Sequence, residues 1–308
     1  MTRSLVRRWT GLILIAQMTL TARPAAHLGA QNTPLRVEVK LVNVFVSVTD
    51  QNGAPVGGLT RDDFSLTEDN RAQQIAIFER QSDMPLNLTL AIDTSASVAK
   101  DLTLEQHAAR RFVQATLRPQ DKISLLEFSS SVRELAPFTN KVSSIERGIA
   151  HLSGGGGTAF YDAILLGSKQ LGEQHGRKVL IVVSDGDDTV KGSNYAQALE
   201  QALRNEVMIY SLIDVPIEAS AGRDLRGEHA LITLAEQTGG KSFYVSAKGL
   251  DKTFAQVSED LRTQYFLAYY PRNQEPGTNF HRIQVTVPKA RAENYNLRYR
   301  TGYYADSP

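Results

Sequence analysis

The chain has 308 residues, 42% of them apolar, and no cysteine. That length allows one sizeable α/β domain with a smaller companion, and the missing cysteine excludes any disulfide staple. A formal charge of +1 gives no ground for nucleic acid as a partner.

Residues 1–30 carry Arg3, Arg7, Arg8 and Arg23 and no acidic side chain. The basic start, the apolar stretch from Gly11 to Ala16 and the small residues up to Ala30 have the build of a secretory signal peptide. Gln17 interrupts the apolar stretch, which is too short for a membrane span. Retention as an uncleaved anchor is the alternative; a lipid-modified cysteine is excluded. The mature chain would then carry 30 basic and 33 acidic residues, with no transmembrane segment, and would be periplasmic, secreted or envelope-associated.

Residues 31–85 read as β. Leu35 to Leu41 alternate with polar residues, and the apolar phase then shifts to Val42, Val44, Val46 and Val48. A one-residue shift turns every side chain over, so a bulge or strand break is expected near Leu41-Val42. Asn52-Gly53 and Asp69-Asn70 are turn signals, and Phe64, Leu66 and Ile75 to Phe78 suggest further strands.

Residues 86–263 change period. Leu86 to Ile92 is a strand, and Leu104, Ala108, Phe112 and Ala115 recur at helical spacing. Ile123 to Phe128 is strand-like, and Ile145 to Leu152 and Ala159 to Leu171 are helical. Val179 to Val183 is an unbroken apolar run, which suits a parallel strand buried on both faces. Helix at Ala196 to Leu203, strand at Val207 to Ile213, helix at His229 to Gln237, strand at Ser242 to Val245 and helix at Leu250 to Leu261 complete the alternation. The implied fold is α/β, a doubly wound, mainly parallel sheet.

Residues 264–308 return to β, with strands at Tyr265 to Tyr270, Ile283 to Val287 and Leu297 to Tyr303, punctuated by Pro271 and by Asn273 to Gly277. Each β segment is only a few hairpins, too little to stand alone. The two are therefore expected to pair into one small β-sandwich, with the α/β domain inserted between them.

In an open α/β sheet, ligands bind beyond the carboxyl ends of the strands. Two oxygen-rich loops fall there, Asp93-Thr94-Ser95-Ala96-Ser97 and Ser184-Asp185-Gly186-Asp187-Asp188. Gly154 to Gly157 permit a sharp backbone path that can bring the Thr158 hydroxyl to the same point. Hard divalent cations take oxygen ligands. Positions 93, 95 and 97 can turn three oxygens inward, two of them neutral hydroxyls, which leaves a cation short of negative charge. A carboxylate from a partner is an attractive remaining ligand. The bland readings are a helix cap by Ser97 or Asp101 and an ordinary turn at Ser184-Asp185-Gly186. Asp187 and Asp188 read as solvated turn residues, and Asp162 as a first-turn helix residue.

The Asp93-to-Ser97 loop resembles the DxSxS motif of von Willebrand factor A domains. Thr158 in Gly-Gly-Thr-Ala-Phe-Tyr-Asp-Ala is similar to their second motif, and Asp185 in Val-Val-Ser-Asp-Gly is similar to their third. The resemblance spans about residues 86–263 and, with the flanking β segments and Leu59 to Phe64, extends to bacterial exported proteins of that type. It implies a metal-ion-dependent adhesion site in which Ser95 and Ser97 bind a cation directly. Asp93 and Asp185 would act mostly through water, and Thr158 would alternate between the two modes. Mg²⁺ is the expected ion, with Ca²⁺ and Mn²⁺ as alternatives. The implied function is metal-dependent capture of an acidic group on a protein or peptide; the alternative is a structural envelope protein whose ion only stabilises the fold. The resemblance also implies a shift of the Leu250–Leu261 helix when a partner binds.

No Gly-Lys-Ser/Thr follows the glycines, and no helix-loop-helix calcium spacing or Gly-x-Ser-x-Gly nucleophile elbow is present. No general base can be picked out near the site, so an enzyme is not expected. His27, His107, His151, His175, His229 and His281 are scattered and read as surface or capping residues.

Overall fold

The computed structural model describes residues 41–80, 84–98, 102–214, 225–246, 249–272, 279–288 and 294–305. The leader, the Leu35-to-Lys40 alternation, the Asp101 cap and the Asn273-to-Gly277 turn lie outside them.

The chain opens with β1 (Val42–Thr49), β2 (Ser65–Glu68), β3 (Arg71–Gln73) and β4 (Ile75–Arg80). Then come β5 (Leu86–Asp93), α1 (Leu102–Thr116), β6 (Lys122–Phe128), β7 (Val132–Thr139), α2 (Val142–Ala150), α3 (Phe160–Gly172) and β8 (Arg177–Ser184). α4 (Tyr195–Arg204), β9 (Val207–Asp214), α5 (Leu225–Gln237), β10 (Ser242–Val245) and α6 (Leu250–Arg262) close the α/β part. β11 (Tyr265–Tyr269), β12 (Phe280–Thr286), β13 (Asn296–Arg298) and β14 (Gly302–Tyr304) follow.

The α/β sheet has the order β10-β9-β8-β5-β6-β7, parallel except for β7. Successive strand residues feed opposite cores. Leu88, Leu90, Ile123, Val179 and Ile181 pack with α1, α2 and α6. Ala91, Leu126, Leu180, Val182 and Ile209 pack with α3, α4 and α5. Burial on both faces explains why Val179 to Val183 reads as an unbroken apolar run. Strand β7 was not expected, because Arg133, Glu134 and Pro137 break any alternation. It is an edge strand, where charge and proline are tolerated. The buried stripe of α1 is Glu105, Ala108, Ala109, Phe112, Val113 and Thr116. The helix expected from Leu104, Ala108, Phe112 and Ala115 is present, with Leu104 and Ala115 outside its buried stripe.

The remaining strands form two four-stranded sheets, β13-β1-β11-β4 and β14-β12-β2-β3. Each mixes strands from before and after the α/β unit, around Val44, Val46, Leu66, Leu267 and Ile283. Asp69 and Asn70 have φ of 49° and 65°, the left-handed turn between β2 and β3. Leu297 to Tyr303 is not one strand. β13 pairs with β1 and β14 with β12, and the break falls where Thr301 N donates to Gln237 O, at 3.0 Å, at the end of α5.

His281 corrects the expectation of surface or capping histidines. It is 1% exposed. Its Nδ1 lies 2.7 Å from Asp69 Oδ2 and 3.7 Å from Glu68 Oε1, while the Tyr269 and Tyr303 hydroxyls donate to Glu68 Oε2 at 2.6 and 2.9 Å. Nothing in the local sequence marks this histidine, because its partners lie more than two hundred positions upstream.

Both connections into the α/β unit meet at Arg177. Its backbone N–H donates to Pro85 O at 2.9 Å, and its buried guanidinium donates to Leu261 O and Gln264 Oε1. The same guanidinium sits over the Phe45 ring, 4.8 Å from its centroid. Gln264 Nε2 donates in turn to Ser47 Oγ (2.8 Å) and Tyr210 OH (3.2 Å). Strand β1 thus gives its valines to the sandwich core and Phe45 and Ser47 to this junction. Arg177→Met removes the donors but keeps the bulk, leaving the buried Leu261 and Gln264 oxygens short of partners at about 1–3 kcal/mol each. The expected result is a lower midpoint in a denaturant titration with no loss of native far-ultraviolet signal in buffer.

Candidate metal centre

Three segments converge at the carboxyl ends of β5, β6 and β8. Ala96 N donates to Gly156 O (3.2 Å) and Gly155 N to Thr94 O (2.7 Å), tying the loop after β5 to the glycine segment. Ser184 Oγ donates to Asp93 Oδ2 at 2.7 Å, tying β8 to β5. Thr158 O accepts from Thr189 N and Val190 N, and Thr158 N donates to Thr189 Oγ1 at 2.7 Å, tying the glycine segment to the loop after β8. Each pair of segments is thereby fixed.

Within this rim Asp93, Ser95 and Thr158 are buried, Asp185 is half-buried and Ser97 is exposed. Asp93 Oδ1 accepts from Ser95 N at 2.8 Å, and the Ser95 and Ser97 hydroxyls are 3.1 Å apart. Burial raises the Asp93 carboxyl to about 6; hydrogen bonds from Ser184 and Ser95 pull it down, and the neighbouring Asp185 charge pushes it up. Asp185 Oδ1 accepts from Asp187 N at 3.2 Å. The donor set is two carboxylates and three hydroxyls, all oxygen, and suits a hard divalent cation rather than a thiophilic one.

Residues that sequence reasoning passed over complete the rim. Asp188 is not a solvated turn residue: its Oδ1 accepts from Phe160 N at 2.9 Å and Tyr161 N at 3.4 Å, capping α3, and burial raises its carboxyl. Asp162 stands in the first turn of α3, as expected, and accepts from Ser193 N at 2.8 Å. Ser130 Oγ accepts from Gly157 N at 2.8 Å, and Ser129 O from Ala159 N at 2.7 Å. The Ser129-Ser130-Ser131 run follows a parallel strand, so the rule that located the other loops applies to it too. Gly227 in the first turn of α5 stacks on Gly186. A Cβ on Gly186 would stand 2.6 Å from the Gly227 backbone.

Glu68, Asp69 and His281 are the other group of potential ligands among the described residues. The 2.7 Å contact between His281 and Asp69 is a hydrogen bond, and the Tyr269 and Tyr303 hydroxyls already occupy Glu68 Oε2. The cluster reads as a satisfied polar core of the sandwich. Among the described residues no helix is long and apolar enough to cross a membrane.

No curated protein sequence matches the chain. Among solved structures, a von Willebrand factor type A protein from Catenulispora acidiphila is similar over 82% of this chain and 71% of its own, at 10% identity and a TM-score of 0.51. An aerotolerance-related membrane protein from Bacteroides fragilis is similar over 57% of this chain and 98% of its own (19% identity, TM-score 0.46). The vWF domain of the type V pili tip protein Mfa5 from Porphyromonas gingivalis is similar over 63% and 99% (12% identity, TM-score 0.47). Residues 88–188 match the profile of the von Willebrand factor type A domain. With that match and the doubly wound sheet around it, the α/β unit of this chain is a von Willebrand factor type A domain.

Proposed function

We propose that this chain is an exported, metal-dependent protein-binding module without enzymatic activity. In this reading Asp93, Ser95, Ser97, Thr158 and Asp185 hold a divalent cation, Mg²⁺ first and Ca²⁺ or Mn²⁺ otherwise. The observation that carries it is the pairwise tying of the three oxygen-bearing segments at one sheet rim. Ser95 and Ser97 supply neutral hydroxyls, Asp93 a buried carboxylate with both oxygens engaged, and Asp185 a carboxylate nearer the surface. An ion held mainly by hydroxyls and water keeps most of its positive charge, so a carboxylate of a partner protein completes its shell. The basic leader supports export.

Isothermal calorimetry with Mg²⁺, Mn²⁺ and Ca²⁺ tests the cation. Wild type is expected to bind at least one of them, and Asp93→Ala none. Absent heats in both proteins would end the reading. A cation response without any chelator-sensitive partner in an envelope pull-down would assign the ion to fold stability instead.

A further inference from the structure

A groove of about 810 Å³ runs beside the open edge of β7, between that strand and α2. Arg133, Glu134, Lys141, Arg147, His151 and Ser153 are among the residues that line it. The nearby carboxylates are drawn elsewhere. Glu134 accepts from Gln170 of α3 (3.2 Å), and Glu146 from Gln114 of α1 (2.6 Å). Buried Glu127 is engaged by Arg133 and by Ser153 N at 2.6 Å. Lys141 is exposed and has no hydrogen-bonding partner for its ammonium among the described residues. Arg147 bonds only within its own helix, to Ser143 O at 3.4 Å and Ser144 Oγ at 3.1 Å. Its guanidinium keeps donors to spare. Ser153, which lines the groove, leads in sequence directly into Gly154 to Thr158 of the metal rim.

We infer that this groove seats an extended, acidic segment of a partner polypeptide, whose carboxylates meet Lys141 and Arg147 as it approaches the cation. This rests on the protein-binding reading above. An edge strand beside a helix fits an extended chain, whose alternate side chains face one wall. β7 has eight residues. Such a strand extends about 26 Å, so a peptide of similar length fills it. The two free cations select acidic side chains, and salt weakens the encounter.

The test is fluorescence anisotropy with a labelled peptide of about eight residues alternating glutamate and threonine, beside its glutamine counterpart. Wild type is expected to bind the acidic peptide and not the neutral one. The double charge reversal Lys141→Glu/Arg147→Glu is expected to weaken binding at least about tenfold. Lys169→Glu/Lys252→Glu, equal in charge but on other helices, is expected to leave it within about twofold. Both variants alter exposed residues, and unchanged thermal melts confirm folding. No binding, equal weakening by both variants, or binding to anionic phospholipid vesicles in place of the peptide overturns the inference. Peptide binding that survives chelator and Asp93→Ala, yet fails in the groove variant, supports the groove while calorimetry decides the cation separately.

Discussion

Asp93→Asn is expected to stabilise the metal-free protein and at the same time abolish its response to Mg²⁺. The Asp93 carboxyl is 1% exposed, and burial raises it to about 6. Between the ordinary aspartate value and that figure, the folded state binds more protons than the unfolded state. Stability from this group is therefore full below about pH 4 and is lost as pH rises through about 6. The whole loss amounts to at most about 3 kcal/mol. The amide carries no charge to desolvate. Its oxygen can still accept from Ser95 N, and its NH₂ can donate to Ser184 Oγ once that hydroxyl turns. In chelator at about pH 8 the variant should unfold at higher denaturant than wild type, by up to about 3 kcal/mol, and the gain should vanish near pH 4. With Mg²⁺ at a hundredfold excess over Kd, wild type gains about 2.7 kcal/mol and the variant nothing. A variant that keeps the Mg²⁺ response would place the cation elsewhere, with Glu68, Asp69 and His281 the next site to mutate.

Gly186→Ala should damage both fold and site. Gly186 has φ of +85°, and an added Cβ would stand 2.6 Å from the Gly227 carbonyl carbon and oxygen. Left-handed backbone costs a residue with a side chain about 1–2 kcal/mol, and overpacking adds about 1–3. Because the clash is with backbone, no rotamer change relieves it, and either α5 or the loop carrying Asp185 must move. Gly227→Ala avoids the left-handed term because α5 is helical there, but its Cβ would stand closer still, 2.2 Å from Gly186 O, so overpacking alone should cost about 1–3 kcal/mol or more. Denaturant midpoints below wild type are expected for both variants, with cation affinity falling in both. Equal midpoints for all three would mean that the glycine contact does not hold the third loop in place.

The buried strands of the α/β unit were legible because burial on both faces favours apolar residues, and Val179 to Val183 could be little else. The loops were legible because oxygen-bearing residues directly follow strands. What escaped depended on partners distant in sequence. Edge strand β7 has only one neighbour to satisfy, so its sequence carries no period. His281 is buried because Glu68 and Asp69, far upstream, receive it. Asp188 resembles any exposed turn aspartate until α3 is placed over it. The Leu297-to-Tyr303 run is one apolar string in sequence, and only its contact with the end of α5 breaks it in two.

The interleaving of the two small sheets sets an order of assembly. Val42 pairs with Tyr269 and Val46 with Tyr265, so β1 waits for a strand made more than two hundred residues later. The α/β unit has neighbouring strands and can collapse early, whereas the sandwich closes only when the last forty residues arrive. Until then β1 to β4 present unpaired edges, the species most prone to stray association. Completion of the C-terminus is thus the step that converts a partly built chain into an aggregation-resistant one, and nonsense truncation after α6 should yield insoluble protein even though every residue of the metal rim has already been made.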